Sequence, residues 1–368
     1  MIKLNGDNRA PQPTITTKGD TVSVVSVTFP EQDKPKLAVS FGFLLSLYAI
    51  VPLCLALQII DRFGFDFALR DNLPNSPGHF LLFQLLFGTP HIIASSLLLV
   101  SHREYLSTFK FKLIAMTVFI ALFFGIGSLF IPYKALYIIT ACWTVYHVLK
   151  QQHGVAKAVC KLPKTAFNFQ VALSVLAGIF IYIGIFLNNS LEDAQAEMVL
   201  NLASGFTLLL LISTVFCQRY VDNSRGMQFL WANTLLVIVS WYLYREQYYF
   251  LAILMPRLVH DITAYSFYVS HDYNRHGGNT EHRLYQLAKV CHLPVVLVLP
   301  LLSVLLTYLL QAYGNDLINW LMLTLFNREV YKAITLGLFG YLALMHYYSE
   351  AFVWSAGSPL RRYIRFRL

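Results

Sequence analysis

The sequence predicts an all-α fold, a polytopic transmembrane helix bundle of about ten spans with both termini cytoplasmic. Three observations predict it. Of the 368 residues, 57% are hydrophobic and only 13% are charged, about half the charged share of a soluble domain. Apolar stretches of roughly the 20 residues that a helix needs to cross hydrocarbon divide the chain into ten. Lysine and arginine outnumber aspartate and glutamate by 28 to 19, for a net charge of +9, and they collect on alternate connections. This composition excludes a soluble enzyme, a disordered chain and a disulfide-stapled small domain. It assigns the basic excess to cytoplasmic loops rather than to nucleic acid.

The chain divides into a polar N-terminal tail (1–36), a transmembrane helical domain (37–356) and a basic C-terminal tail (357–368). Within the first tail, Thr21–Phe29 alternates apolar and polar residues, the period of a strand. Spans are expected at 37–60, 79–101, 112–132, 134–157, 168–188, 199–217, 228–244, 247–271, 287–311 and 331–356. Asp316–Phe326 is apolar but short, and reads as an interfacial segment. With the N-terminus inside, the inner connections and the C-terminal tail carry 16 basic residues, or 21 with the N-terminal tail. The outer connections carry six: Arg62, Arg70, Lys134, Arg245, Arg328 and Lys332. A miscount by one helix would reverse every later loop and spoil this asymmetry. The expected location is an integral membrane protein of a bacterial inner membrane. Five cysteines without C-x-x-C spacing predict no thiolate metal site.

The histidines are not scattered. Of the 11 in the chain, His91, His147, His260 and His346 fall well inside spans 2, 4, 8 and 10, all of which run from outside to inside. His91 lies 12 residues before Arg103, His147 10 before Lys157, His260 15 before Arg275 and His346 15 before Arg361. At about 1.5 Å per residue their depths agree to within roughly 8 Å. All four can meet in one layer of the cytoplasmic half. Glu350 shares the face of His346 one turn on, and Asp261 follows His260. Gln84 shares the His91 face and Gln151 the His147 face. An ionisable residue in hydrocarbon costs several kcal/mol unless paired or solvated, so such a group is read as functional.

Imidazole with carboxylate and no thiolate suits iron, zinc, copper or manganese. The expected metal ligands are therefore His91, His147, His260, His346, Glu350 and Asp261. Glu350, Asp261 and Arg257 are the candidate catalytic groups. Arg257 reads either as a buried ion-pair partner of Asp261 or as an anchor for an acidic head group. Tyr265, Tyr347, Trp143 and Trp354, with Gln84 and Gln151, are candidates to line a substrate pocket. His153 lies about 120° round from His147 and His271 three turns from His260. They are candidates for a second metal or for the pocket mouth. His276 and His282 read as surface residues, and His79 as interfacial.

The turn Gly88, Thr89, Pro90, His91 and the run Trp143, Thr144, Val145, Tyr146, His147, 56 residues further on, resemble the Brp/Blh group of integral-membrane β-carotene 15,15′-dioxygenases. The resemblance covers about half the chain. It implies a related scaffold, iron held by intramembrane histidines, and oxygen chemistry. The group's later histidines would fall near His260, where Ala264 replaces the second member of an H-x-x-x-H pair. Ile92, Ile93, Ala94 and Ser95 replace its small and acidic residues. The chain also lacks the H-x-x-H-H boxes of membrane fatty-acid desaturases and hydroxylases.

The expected function is a membrane-embedded non-haem iron oxidoreductase of oxygenase, hydroxylase or desaturase type. It would use one or two iron ions, a lipid-soluble substrate, dioxygen and an electron donor, with membrane lipid around it. The first alternative is an intramembrane hydrolase in which zinc replaces iron and Glu350 or Asp261 is the general base. The second is a transporter or a bis-histidine haem protein.

Overall fold

Prolines and capping side chains mark where each helix must stop. The computed structural model describes residues 37–77, 81–276, 282–330, 337–355 and 357–367. The tail 1–36, with the alternating stretch Thr21–Phe29, and His79 lie outside these. Strand β1 (Ala38–Ser40) leads into helix α1 (Phe41–Gly64) and the short α2 (Ala68–Asn72). Then come α3 (Gln84–Val100), α4 (Arg103–Ile126), α5 (Tyr133–Cys160) and α6 (Lys164–Phe186). They are followed by α7 (Asp193–Cys217), α8 (Ser224–Arg245) and α9 (Tyr249–His276). The short α10 (Arg283–Val290), α11 (Val295–Phe326), α12 (Phe339–Val353) and strand β2 (Arg365–Arg367) complete the chain.

Pro132, Pro163 and Pro294 precede α5, α6 and α11 at their N-caps, positions where the missing N–H costs nothing. Glu192 and Gln195 form a reciprocal capping box at the start of α7. Asn223 accepts the Gly226 N–H at 2.7 Å to cap α8. Left-handed residues at Lys161 (φ 52°) and Asn327 (φ 51°) end α5 and α11.

Several expected boundaries move, each for a local reason. The first helix starts at Phe41, because 38–40 pair as a strand. The helix expected at 112–132 begins at Arg103, just after His102. The helix expected at 287–311 starts only at Val295. A turn with His292 at φ 55° separates it from α10, so His292 lies outside it. Asp316–Phe326 is not a separate interfacial segment. It continues α11 as one helix of 32 residues, since no breaker stands between Gly314 and Asn327.

Among the described residues, six helices are long and apolar enough to cross a membrane: α1, α4, α6, α7, α8 and α11, with mean hydropathy from 1.3 to 2.3. The other four substantial helices, α3, α5, α9 and α12, carry His91, His147, His260 and His346. They pack on one another and on the apolar six. Close approach depends on small residues. A Cβ at Gly178 of α6 would sit 2.8 Å from Leu149 and Val145 of α5. Interhelical hydrogen bonds satisfy several of the polar groups between helices. Gln170 donates to Ser213 at 3.1 Å, and the Thr214 and Thr234 hydroxyls meet at 2.7 Å.

The two ends of the described chain are clasped together. β1 and β2 pair in parallel, Ala38 opposite Arg365, and Phe41 stacks on Phe366 at 5.1 Å. Asn274, in the last turn of α9, accepts the Leu37 N–H at 2.7 Å. Its amide donates to the carbonyls of Leu37 and Tyr363, each at 2.7 Å. Asn274→Ala would leave three backbone groups without that partner, a loss of about 1–3 kcal/mol. The expected outcome is faster tryptic cleavage at Arg361 and Arg365 and a lower melting temperature in detergent. Unchanged cleavage would show that the clasp does not hold the tail.

Candidate metal centre

The centre begins with a backbone irregularity. Residues Gln84–Gly88, at the start of α3, form a π turn. Pro90 follows it, and a proline both lacks an N–H and crowds the carbonyl four residues back. Gln84 folds over Gly88, where a Cβ would sit 2.5 Å from Gln84 Oε1. The Phe87 carbonyl then lies 2.9 Å from His91 Nδ1. A carbonyl only accepts, so Nδ1 carries the proton and Nε2 offers its lone pair.

Four imidazoles meet there. Ring centroids of His91 lie 5.5 Å from His260 and 5.0 Å from His346. Those of His147 lie 4.8 Å from His260 and 5.0 Å from His346, and His260 and His346 are 6.3 Å apart. Rings that share one ion through nitrogens at about 2.1 Å put their centroids about 5–6.5 Å apart. Two sets of three donors lie within 4.8 Å of one another: His91, His260, His346 and His147, His346, Glu350. Nε2 of His91, His147 and His346 and both nitrogens of His260 are buried without a hydrogen-bond partner. Imidazoles left in that condition fit a metal ion, since coordination supplies what burial has removed.

The two carboxylates are held differently. Glu350, one turn after His346, lies 3.4 Å from His147 Nε2. Its Oε1 accepts from the Tyr268 hydroxyl and from Trp354 Nε1 (3.1 Å), and its Oε2 from Gln151 Nε2 (3.3 Å). The Tyr268 oxygen also lies 3.4 Å from His346 Nδ1, so Tyr268 joins a carboxylate to an imidazole. Asp261 is buried with neither oxygen hydrogen-bonded, and its Oδ1 is 3.6 Å from His91 Nδ1. Arg257 does not come within ion-pair distance of it. Its guanidinium lies over the Phe83 ring at 5.5 Å and near Gly88.

Of the expected pocket residues, Tyr347 packs its ring 4.6 Å from His147. Trp354 stacks on Tyr268 at 5.5 Å. Gln84 accepts from the Thr89 hydroxyl at 3.2 Å, beside the π turn. Tyr265 turns its hydroxyl to Ser303. Trp143 packs instead into an apolar cluster with Met116, Ile120 and Leu344. His153 Nε2 bonds the Ser174 hydroxyl at 2.8 Å. Neither His153 nor His271 belongs to either donor set.

Two cavities reach the centre. One, of about 520 Å³, runs from His147, Tyr347 and Glu350 past Gly154 and Phe267 to Lys157 and Arg361. The other, of about 500 Å³, lies between β1, the π turn and α9. Asp261 is its only charged lining residue.

A second histidine group lies at the far end of α9. His271 Nε2 is 2.9 Å from the Tyr105 hydroxyl, which accepts from Arg275 and so donates its own proton to His271. His276 is not a surface residue. Helix α9 extends to it, and α10 folds back so that Tyr285 stacks on it at 3.9 Å. Asp272 lies 3.2 Å from its Nδ1. His282 is exposed. His102 is buried beside Tyr105 and His276. Burial first, then the charges of Arg275, His276 and His282, push its pKa down to about 3.

Two outcomes are expected. His91→Ala, His147→Ala, His260→Ala and His346→Ala each lower bound metal by at least about tenfold, while His153→Ala and His282→Ala retain it. Elemental analysis of detergent-purified protein checks this. Between pH 6.5 and about 3 the unfolded chain binds a proton at His102 that the folded chain refuses. Stability therefore rises with pH across that window. The melting temperature falls from pH 7 to pH 5, and His102→Gln flattens the slope. Compared with family models, with curated proteins and with solved structures, the chain matches none.

Proposed function

We propose that this chain is a membrane-embedded non-haem iron oxidoreductase that acts on a lipid-soluble substrate with dioxygen. The observation that carries the reading is the set of five imidazole nitrogens, from four helices, buried together without partners. His91, His147, His260 and His346 would hold one or two iron ions, with Glu350 and Asp261 as carboxylate ligands or neighbours. The donor set lacks thiolate and mixes imidazole with carboxylate, which suits iron that must keep an open position. The resemblance of Gly88–His91 and Trp143–His147 to the Brp/Blh dioxygenases points the same way. When bound, iron supplies the activation of dioxygen. An external donor provides the electrons if one oxygen atom leaves as water.

The protein's own groups do the rest. Apolar walls exclude water and hold the lipid. Tyr268, Trp354 and Gln151 orient Glu350 toward His147. The Tyr268 hydroxyl holds a proton between Glu350 and His346. Tyr347 packs on His147 and restrains its ring. Arg257 offsets part of the carboxylate charge.

Ten crossings with both ends cytoplasmic fit the same picture. Strands β1 and β2 lie side by side, which supports an even number of crossings between them. The basic bias assigns that end to the cytoplasm, in a bacterial inner membrane. Lys157 and Arg275, a few turns past the imidazoles on α5 and α9, support a centre in the cytoplasmic half.

A second reading, a zinc hydrolase, has one observation in its favour. Asp261 faces a cavity with both oxygens unpartnered, as a general base for a metal-bound water requires. Elemental analysis separates the readings. About one to two irons per chain, with oxygen uptake on addition of membrane lipid extract, are expected. Glu350→Gln should reduce uptake by at least about 100-fold. Stoichiometric zinc without iron would overturn the first reading in favour of the second.

A further inference from the structure

The larger cavity differs from its neighbour in charge. It follows one face of α5, from His147 through Gln151 and Gly154 to Ala158, a helical i, i+4, i+7, i+11 stripe. Its inner end is His147 and Glu350. Its outer half carries Lys157 and Arg361, with Phe167, Phe267 and Phe366 between, while Lys150 lies three residues past His147 with its ammonium turned back to Tyr146. His147 and Lys157 are ten residues apart, roughly 15 Å along the axis. Glu350 is the sole carboxylate in the lining, and it is engaged by Gln151, Tyr268 and Trp354.

Among the described residues, no carboxylate lies within ion-pair distance of Lys150, Lys157 or Arg361. Lys150 Nζ donates to the Tyr146 hydroxyl at 2.6 Å. Lys157 lies over the Phe167 ring at 4.7 Å, and the Arg361 guanidinium over Phe366 at 4.8 Å. Three cations thus border an apolar channel without a counter-ion. The neighbouring cavity, of nearly equal size, has none.

We infer that the substrate is a single-tailed anionic amphiphile. Its carboxylate or phosphate head is held by Lys157 and Arg361, and its tail runs inward over Gly154 to His147 and Glu350. The inference rests on the proposed function for the chemistry, but not for the binding. Charge complementarity selects the head, because Lys157, which is exposed, and Arg361, which is half-buried, border the channel with no carboxylate partner of their own. Gly154 forms the floor. A Cβ there meets nothing within 4 Å, so the space over it belongs to the channel. A side chain at 154 also suits the helix, where glycine is a poorer former than alanine or leucine.

The test uses the full chain, purified in a neutral detergent, with hexadecanoate, hexadecyl phosphate and hexadecanol as probes and metal content measured on each sample. At least one anionic probe should bind tenfold or more tightly than hexadecanol, and the stronger of the two identifies the head. The double variant Lys157→Gln, Arg361→Gln should lose that preference. Gly154→Leu should lose binding of all three probes. Both variants should keep the metal content and melting temperature of the parent. Equal affinity for hexadecanol and the anions would overturn the inference, as would an unchanged preference in the double variant. Displacement of the anions by two-tailed phosphatidylglycerol but not by one another would also overturn it, by showing a site for bilayer lipid. Metal-free protein that still binds the anions by these rules would sink the oxidoreductase reading while leaving the binding site standing.

Discussion

Hydrocarbon offers no hydrogen-bond partner, so a polar atom placed within it must find one in the protein or bind something else. This chain obeys that constraint between most of its helices. Gln170 with Ser213, and Thr214 with Thr234, are examples. It departs most heavily where α3, α5, α9 and α12 meet. Five imidazole nitrogens and both oxygens of Asp261 are buried there without partners. Each such atom costs about 1–3 kcal/mol. The group together is then of the order of a whole domain's stability, about 5–15 kcal/mol. A shared cation would remove most of that cost, so packing of the four helices and binding of the ion are one linked equilibrium.

The same constraint divides the helices by task. The six that satisfy lipid on length and composition alone carry none of the four central imidazoles. The helices that do carry them have given up apolar positions to histidine, carboxylate, glutamine and tyrosine. Such helices are poor solitary spans and depend on neighbours. The π turn of α3 is tolerated for the same reason, because its displaced backbone faces protein.

Much of the centre was legible because depth in a membrane can be counted. Distances from His91, His147, His260 and His346 to the next basic residue depend only on helical rise, and those rings do lie together. What escaped depends on direction and on distant packing. Tyr268 sits seven residues after Asp261, on the same stripe, but it is one of 22 tyrosines and nothing local marks it as the link between Glu350 and His346. Trp143 lies one turn from His147, yet its ring goes to the pocket made by Met116, Ile120 and Leu344. His276 is covered only because α10 returns over it. The length of α11 was hidden by Asn315 and Asp316, which read as a break although the helix runs through them.

The two carboxylates show how far the centre is pre-formed by the chain itself. Glu350 has three donors from α5, α9 and the end of α12, so its orientation toward His147 requires no cation. Asp261 has no donor, and the nearest imidazole, that of His91, is already committed to the Phe87 carbonyl. The α5–α12 side therefore resembles a finished half-site. The α3–α9 side, where proline and a π turn interrupt the backbone ladder, lacks such donors and would gain most from a bound ion. Were an ion to bind, capture at the α5–α12 half first is the order that this asymmetry favours, since the half already satisfied loses little entropy on capture.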